Sequence, residues 1–510
     1  MDESKDIYDF VIIGSGISGL VSALILAKNR YKVLVLEKNH QIGGALQIFS
    51  RDKCIFDTGV HYIGGLSKGE NLHQFFKYLG IYDDLKLKAM NQDCFDLIRL
   101  SNGMEIPHGQ GYEQFVRGFV KAFPEDEIAI KQFCEKIQEV CSYFPLYNLE
   151  CEGERTYFSH HDVLAIGAWD FVSSITDNND LKIVLLGSGI LYAGDAKSTP
   201  FYVVALIMNS FIKGSYRLVD GGSQLAKVLV KRIREHGGEV LKHKEVIGSE
   251  VNDQKEILKL ICADNSSYRG RQFISSLHPS QTIKTIGESH FLPAYVKRVK
   301  GLKNSVSTFM VYLSFKRQSF PYFNHNFYEY FTEDGWNTVD YERKNWPQVL
   351  YVCTSATGKS DEFAESLSAM AYMSKDEWSE WEKTFNTIAD KQERGEAYEQ
   401  FKKQKEQLVI EKLKLRFPGI ENCIKNVYSS TPLTFKDYLG TPEGEMYGIL
   451  KDFRNPTGTS INTKTRIQNL YLTGQNIVFH GILGATVGAF VTCFNFVDNN
   501  TTIQEIKNHE

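Results

Sequence analysis

Gly14, Gly16 and Gly19 have the spacing G-x-G-x-x-G and directly follow the apolar run Tyr8 to Ile13. An acid, Glu37, closes the next apolar run, and the pair Gly43-Gly44 comes six and seven residues after it. A helix that opens at such a loop offers unpaired N–H groups and its positive dipole end, which together hold a pyrophosphate. In this pattern Gly14 permits a tight turn, Gly16 lets the backbone approach phosphate, and Gly19 lets helix and strand pack closely. Glu37, eighteen residues past Gly19, is placed to accept hydrogen bonds from both hydroxyls of a ribose. Ser15, Ile17, Ser18 and Lys38 complete the candidate nucleotide-binding set in these two loops. The chemistry these residues point to is dinucleotide binding.

Such residues work only on a strand–helix–strand unit, and the chain supplies strand, helix, second strand and acid in that order. A Gly pair shortly after the acid is a common flavoprotein extension, where backbone can approach the phosphates of FAD. A nicotinamide dinucleotide domain would need a second such unit. The nearest match, GSGILY from Gly187 to Tyr192, lacks the third glycine and an acid-ended strand about twenty residues on. FAD is the expected cofactor, and 187–192 reads as a loop in a helical region.

The chain has 510 residues, enough for two or three domains. Its 33 Phe and 26 Tyr leave room for an apolar substrate cavity. A net charge of −4 with scattered basic residues gives no footprint for nucleic acid. Nine cysteines with no C-x-x-C pair argue against a disulfide framework, a metal site or a redox dithiol. The opening residues MDESKD are acidic and polar, unlike a signal peptide, and the longest apolar stretches are too short to cross a bilayer. The expectation is a soluble cytoplasmic protein, with peripheral membrane contact as the alternative.

Along the chain, Lys53 to Asp57 and Val60 to Ile63 read as strands. Two helices span Glu113 to Ser142, divided at Pro124, with Phe115, Phe119 and Phe123 on one face of the first. Pro200 begins an apolar helix through Ile212, with Ser198 and Thr199 as candidate caps. Residues 291–345 alternate aromatic and polar types, as strands of a separate sheet would, and the charged stretch 376–416 reads as one or two solvated helices. Near the C-terminus, Leu470 to Thr473 reads as a buried strand ended by Gly474 and Gln475, and Gly484-Ala485 opens a helix. Beside the first unit, the Gly474 turn would meet the middle of the cofactor, and the helix N-terminus would face the flavin ring. Reduced flavin carries negative charge there, which such a terminus stabilises. The fold class is α/β. A Rossmann-like FAD-binding domain is assembled from residues 1–75, 216–290 and 465–510, and an inserted α+β substrate domain of mixed sheet plus helices takes 76–215 and 291–464.

Four segments carry a family resemblance: FDTGVHYIG (Phe56 to Gly64), IPHGQGYEQFVRGFVKAFP (Ile106 to Pro124), STPLTFKDYLGTPEGEMYG (Ser430 to Gly448) and LYLTGQNIVFHGILGA (Leu470 to Ala485). With them the chain resembles the FAD-dependent phytoene desaturase and carotenoid isomerase superfamily, and within it the retinol saturase branch. The resemblance implies a flavin enzyme acting on carbon–carbon double bonds of a long, apolar, conjugated substrate, served by an unidentified electron donor or acceptor. It leaves saturation, desaturation and isomerisation open. It also places the backbone of Val246 against the adenine. Flavin amine oxidases of this fold usually carry Arg after the Gly pair; Ala45 stands there, which counts against amine oxidation.

Candidates for proton delivery or flavin contact are His61 and Tyr62 in GVHYIG and His480 before Gly481. A histidine near its ordinary pKa can donate a proton at neutral pH. His61 can equally serve as a hydrogen-bond partner only, and Asp57 reads as a turn or helix-cap acceptor. The same fold also serves non-catalytic lipid-binding proteins, such as prenyl-protein escort factors related to GDP-dissociation inhibitors. The intact glycine loop and the Gly474 to Ala485 segment favour the enzyme.

Overall fold

The computed structural model describes residues 7–150 and 161–509. The acidic opening residues 1–6, on which the reading against a signal peptide rests, lie outside them.

Ile7–Ile13 buries its last four residues, all large and apolar, as a strand covered on both faces must. It pairs in parallel with Val33–Leu36 on one side and with Ser267–Ser275 on the other. Glu239–Leu241 adds to the outer edge of Val33–Leu36, and Leu470–Leu472 pairs in parallel with the end of Ser267–Ser275. The antiparallel strands Val246–Val251 and Ile257–Cys262 complete a seven-stranded sheet. Ile17–Lys28 is apolar nearly all round because it is enclosed, with contacts to the first sheet, Ser223–Glu235 and Gly481–Cys493. The chain leaves the central strand toward one side and later returns on the other, so the loops beyond Ile13 sit at the switch point where such sheets bind ligands.

A second seven-stranded sheet runs Ile424–Ser430, Ser307–Phe315, Ser366–Met373, Val349–Thr354, Asn326–Tyr330, Asp96–Arg99, Glu105–His108. It is antiparallel except where Asn326–Tyr330 meets Asp96–Arg99. Side chains two apart share a face. Phe309, Val311 and Leu313 join Leu350 and Val352 in a core closed by the helix Glu396–Arg416. Met310, Tyr312, Tyr328, Tyr351 and Met370 face the main core, and Met310, Tyr351 and Met370 also line the cavity described below.

Several elements depart from the sequence expectations. All nine residues of Ser307–Phe315 are buried, because this sheet is covered on both sides. Its alternation separates two dry faces rather than a wet and a dry one, and Pro293–Gly301 is a helix. The 396–416 helix is not merely solvated: it buries Tyr398, Val409 and Leu413, and Lys405 forms a buried ion pair with Glu377. Ser198 and Thr199 do not cap Phe201–Ile212, which follows Pro200 without a side-chain cap. Instead the Thr199 hydroxyl accepts the Asp195 N–H at 2.8 Å and Ser198 donates to the Asp195 carboxylate at 2.7 Å. Only Ile63–Gly64 of the second early strand pairs, whereas Cys54–Asp57 forms as read. Tyr112–Ala122 and Glu127–Ser142 divide at Pro124. Among the described residues, no helix is long and apolar enough to cross a membrane.

Candidate active site

The strands of the first sheet end at Ile13, Leu36, Leu241, Ser275 and Leu472. The loops that follow line a cleft of about 330 Å³. The sequence-predicted residues on it are Gly14, Ser15, Gly16, Ile17, Ser18, Glu37, Lys38, Gly43, Gly44, Val246, Gly474, Gln475 and Ala485. Gly19 and Gly484 lie outside its lining.

The three loop glycines meet different constraints. Gly14 has φ +91°, in the left-handed region, and a Cβ there would lie 2.5 Å from the Ser276 hydroxyl. A Cβ on Gly19 would lie 2.2 Å from the Gly14 carbonyl oxygen, so helix and strand touch at that point. A Cβ on Gly16 would meet no protein atom within 4 Å. Packing therefore does not account for Gly16, and its bare backbone suits the close approach of a ligand phosphate.

Glu37 is buried, with 5% of its surface exposed. Its Oε2 accepts the backbone N–H and the hydroxyl of Ser15 at 3.0 and 2.5 Å, and its Oε1 accepts the Asn39 N–H at 2.8 Å. Ser15 Oγ in turn accepts the Gly43 N–H at 3.1 Å. One hydroxyl thus joins the glycine loop, the acid and the Gly pair. Lys38 and Asn39 donate to the carbonyls of Asp437 and Tyr438, bracing the acid loop against a distant segment. Ser276, His278 and Tyr438 also line the cleft and were not singled out in the sequence. Only the short apolar pair Phe273-Ile274 before Ser275-Ser276, with Pro279 beyond, signals a strand end at this loop.

The C-terminal helix opens at Gly481, with His480 at its cap position, three residues before the expected Gly484. Gly481 has φ +78°, and a Cβ on Gly484 would lie 2.3 Å from the Phe479 carbonyl oxygen, so Gly484 serves helix packing. Gly481 and Ile482 line both the cleft and an adjoining cavity of about 110 Å³, as do Gly59, Val60, Met446 and Tyr447. The free N–H groups of this helix therefore start where the two spaces join. The cavity walls are apolar: Met310, Tyr351 and Met370 from the second sheet, Ile207 and Phe211 from Phe201–Ile212, and Phe479.

His61, Tyr62 and His480 all line the cavity. His61 Nε2 has no hydrogen-bond partner among the described residues, and burial lowers its pKa against the opposing pull of Asp57. His480 Nε2 lies 3.1 Å from the Leu191 carbonyl oxygen and so carries the proton it donates there; burial pushes its pKa down to about 4. The expectation of a histidine near its ordinary pKa is corrected: a dry wall favours the neutral ring in both. Tyr62 stands differently. Its hydroxyl donates to Asp96 at 2.8 Å and lies 2.7 Å from the Tyr328 hydroxyl. Asp96, fully buried, also accepts from Asn326 at 2.8 Å and Ser188 at 3.2 Å, yet burial pushes its carboxyl up to about 7. The sequence reading missed Asp96 and Tyr328; an acid flanked by Phe95 and Leu97 was the available signal. Asp57 accepts the Gly222 N–H at 2.7 Å, at the start of Ser223–Glu235.

The family model of the NAD(P)-binding Rossmann-like domain matches residues 12–79. An all-trans-retinol 13,14-reductase of Danio rerio is 26% identical, over 96% of this chain and 86% of its own length. A chloroplastic prolycopene isomerase of Daucus carota is 23% identical, over 92% of this chain and 76% of its own. Among solved structures, putrescine oxidase bound to putrescine superposes with a TM-score of 0.63 at 14% identity, covering 96% of this chain and 98% of that one. The chain thus resembles the retinol reductases and prolycopene isomerases along nearly its whole length. It combines a Rossmann-like domain with a second, mixed sheet, and the match supports a dinucleotide cofactor.

Proposed function

We propose that this chain, similar throughout to the all-trans-retinol 13,14-reductases, is an FAD-dependent oxidoreductase of carbon–carbon double bonds in an apolar polyene. The observation that carries the reading is the junction: an aromatic and methionine-lined cavity opens onto the inner end of the dinucleotide cleft at Gly481. The residues there fit FAD. Gly16 leaves room for phosphate, Glu37 is held for a ribose, Gly474 and Gln475 line the cleft, and the 481–493 helix begins beside the cavity. Its N–H groups suit the negative charge of a reduced flavin ring. Val246 is proposed as the adenine contact. The proposed division is the one drawn from the sequence: 1–75, 216–290 and 465–510 hold the cofactor, and 76–215 and 291–464 hold the substrate.

Bound FAD supplies hydride transfer at N5, and the protein supplies position, dryness and the proton. Tyr62 is the proposed proton carrier, because its hydroxyl is bonded to a carboxyl that titrates near neutrality. His61 and His480, both held neutral, shape and polarise the wall. The purified protein is expected to be yellow, or to become so on reconstitution with FAD. Anaerobic incubation with retinol, lycopene or phytoene then fixes the direction by mass spectrometry. A gain of two hydrogens means saturation, a loss means desaturation, and unchanged mass with altered retention means isomerisation. A colourless protein that takes up no FAD overturns the reading.

A further inference from the structure

A smaller pocket of about 20 Å³ adjoins the apolar cavity, and Tyr447 and His480 line both spaces. The helix Phe201–Ile212 also links them. Val203 lines the small pocket, and Ile207 and Phe211 line the large one. Residues four apart lie one turn apart on the same face, so the two spaces follow one helix face for about 12 Å.

The small pocket is rich in donors. Lys451 Nζ donates to the Asn476 carbonyl at 3.0 Å, leaving two of its three N–H groups. Among the described residues, no carboxylate forms an ion pair with it, and burial alone lowers its pKa, to about 8. Its neighbour His480 is neutral, and the Lys451 charge holds it further down. The Thr199 hydroxyl accepts the Asp195 N–H and the Ser305 hydroxyl accepts the Tyr447 N–H, so each keeps its own proton to donate. Among the described residues, no acid lines this pocket. A partly buried cation without a counter-ion is costly unless an anion joins it.

We propose that Lys451, with Thr199 and Ser305, binds the carboxylate of a substrate whose apolar chain lies along the 201–212 helix, making the substrate a fatty or polyenoic acid rather than a hydrocarbon. The inference rests on the reading of the large cavity as the seat of an apolar chain. It deepens that reading by naming the polar end. At neutral pH the lysine is charged and the carboxylate ionised, so the pair forms without proton transfer.

The test uses full-length protein reconstituted with FAD and two matched pairs of probes: all-trans-retinoate with all-trans-retinol, and decanoate with decanol. Kd is read from the change in flavin absorption and checked by the shift in Tm. The expected result is at least tenfold tighter binding of each acid than of its alcohol. Lys451→Met is expected to erase that preference with alcohol binding unchanged, and Lys451→Arg to retain it. If both retinoids fail while decanoate keeps its lysine-dependent preference, the polyene reading falls and the anion site stands. Equal binding of acid and alcohol, a preference that survives Lys451→Met, or no binding of either acid overturns the proposal. The wild-type ratios decide even if a variant does not fold.

Discussion

The dinucleotide cleft and the apolar cavity meet at Gly481, yet they are made of different material. The cleft is mostly main chain: glycines, strand ends and a helix start, braced by Ser15 and Glu37. The cavity is mostly side chain: Met310, Tyr351, Met370, Phe211 and Phe479 arrive from five separate segments. A site that holds a ligand by backbone needs particular spacings and particular glycines, and few substitutions are compatible with it. A site walled by side chains can change its occupant residue by residue, with the scaffold unaltered. On the proposed reading, the cleft holds the cofactor and the cavity sets the choice of substrate.

The sharpest way to break this contrast is inside the glycine loop. Gly16→Leu is expected to abolish FAD binding while apo-protein Tm stays within a few degrees, because a Cβ there meets no protein atom within 4 Å and the residue lines the cleft. Gly19→Ala meets the Gly14 carbonyl oxygen instead and is expected to cost about 1–3 kcal/mol or more of stability, read by urea unfolding. If Gly16→Leu unfolds the protein, or Gly19→Ala is silent, the two glycines are not divided between ligand and packing.

On the cavity side, Tyr62→Phe and Asp96→Asn are each expected to lower kcat about 10²-fold, the range lost with a general acid, with FAD content unchanged. Full turnover in Tyr62→Phe would remove the proposed proton carrier. A smaller effect is expected at the acid of the cleft. Glu37→Gln loses charge-assisted bonds worth about 1.5–3 kcal/mol, roughly tenfold to a hundredfold in the Kd of FAD, measured by fluorescence titration.

The smallest effects lie in stability against pH, where two buried groups act in opposite directions. His480 has a folded pKa of about 4, below its ordinary 6.5, so the unfolded chain takes up the proton first and stability falls as pH drops through that window. Asp96 has a folded pKa of about 7, above its ordinary 3.8, so the native state holds the extra proton and stability falls as pH rises between those values. In Tm measured from pH 4 to 7, His480→Gln is expected to flatten the acid loss and Asp96→Asn to flatten the loss toward neutrality. Changes of the same sign in both variants would contradict these burial effects.

The same division explains what was legible in the chain. Gly14, Gly16, Gly19 and Glu37 stand within one short segment, so local spacing reveals the loop that positions them. The start of the C-terminal helix was misplaced because Gly481 and Gly484 look alike in sequence. Only the fold distinguishes a glycine in the left-handed region from one pressed on the Phe479 carbonyl. Asp96 meets Tyr62 and Asn326 across 34 and 230 residues, a separation no local pattern encodes. The charged helix 396–416 hid its dry side because Lys405 is neutralised by Glu377 on another segment. Alternation in Ser307–Phe315 was visible, but what covers each face depended on layers far away in sequence.

The central claim, that a polyene in the cavity exchanges hydrogen with flavin in the cleft, is tested most directly by anaerobic stopped-flow spectroscopy of the FAD-loaded protein. Oxidised and pre-reduced samples are each mixed with all-trans-retinoate, retinol, lycopene or phytoene, and the products are weighed by mass spectrometry. The account predicts that flavin absorption changes redox state in step with a two-hydrogen change in the mass of the polyene. Flavin that keeps its redox state with every polyene, in both starting forms, contradicts it.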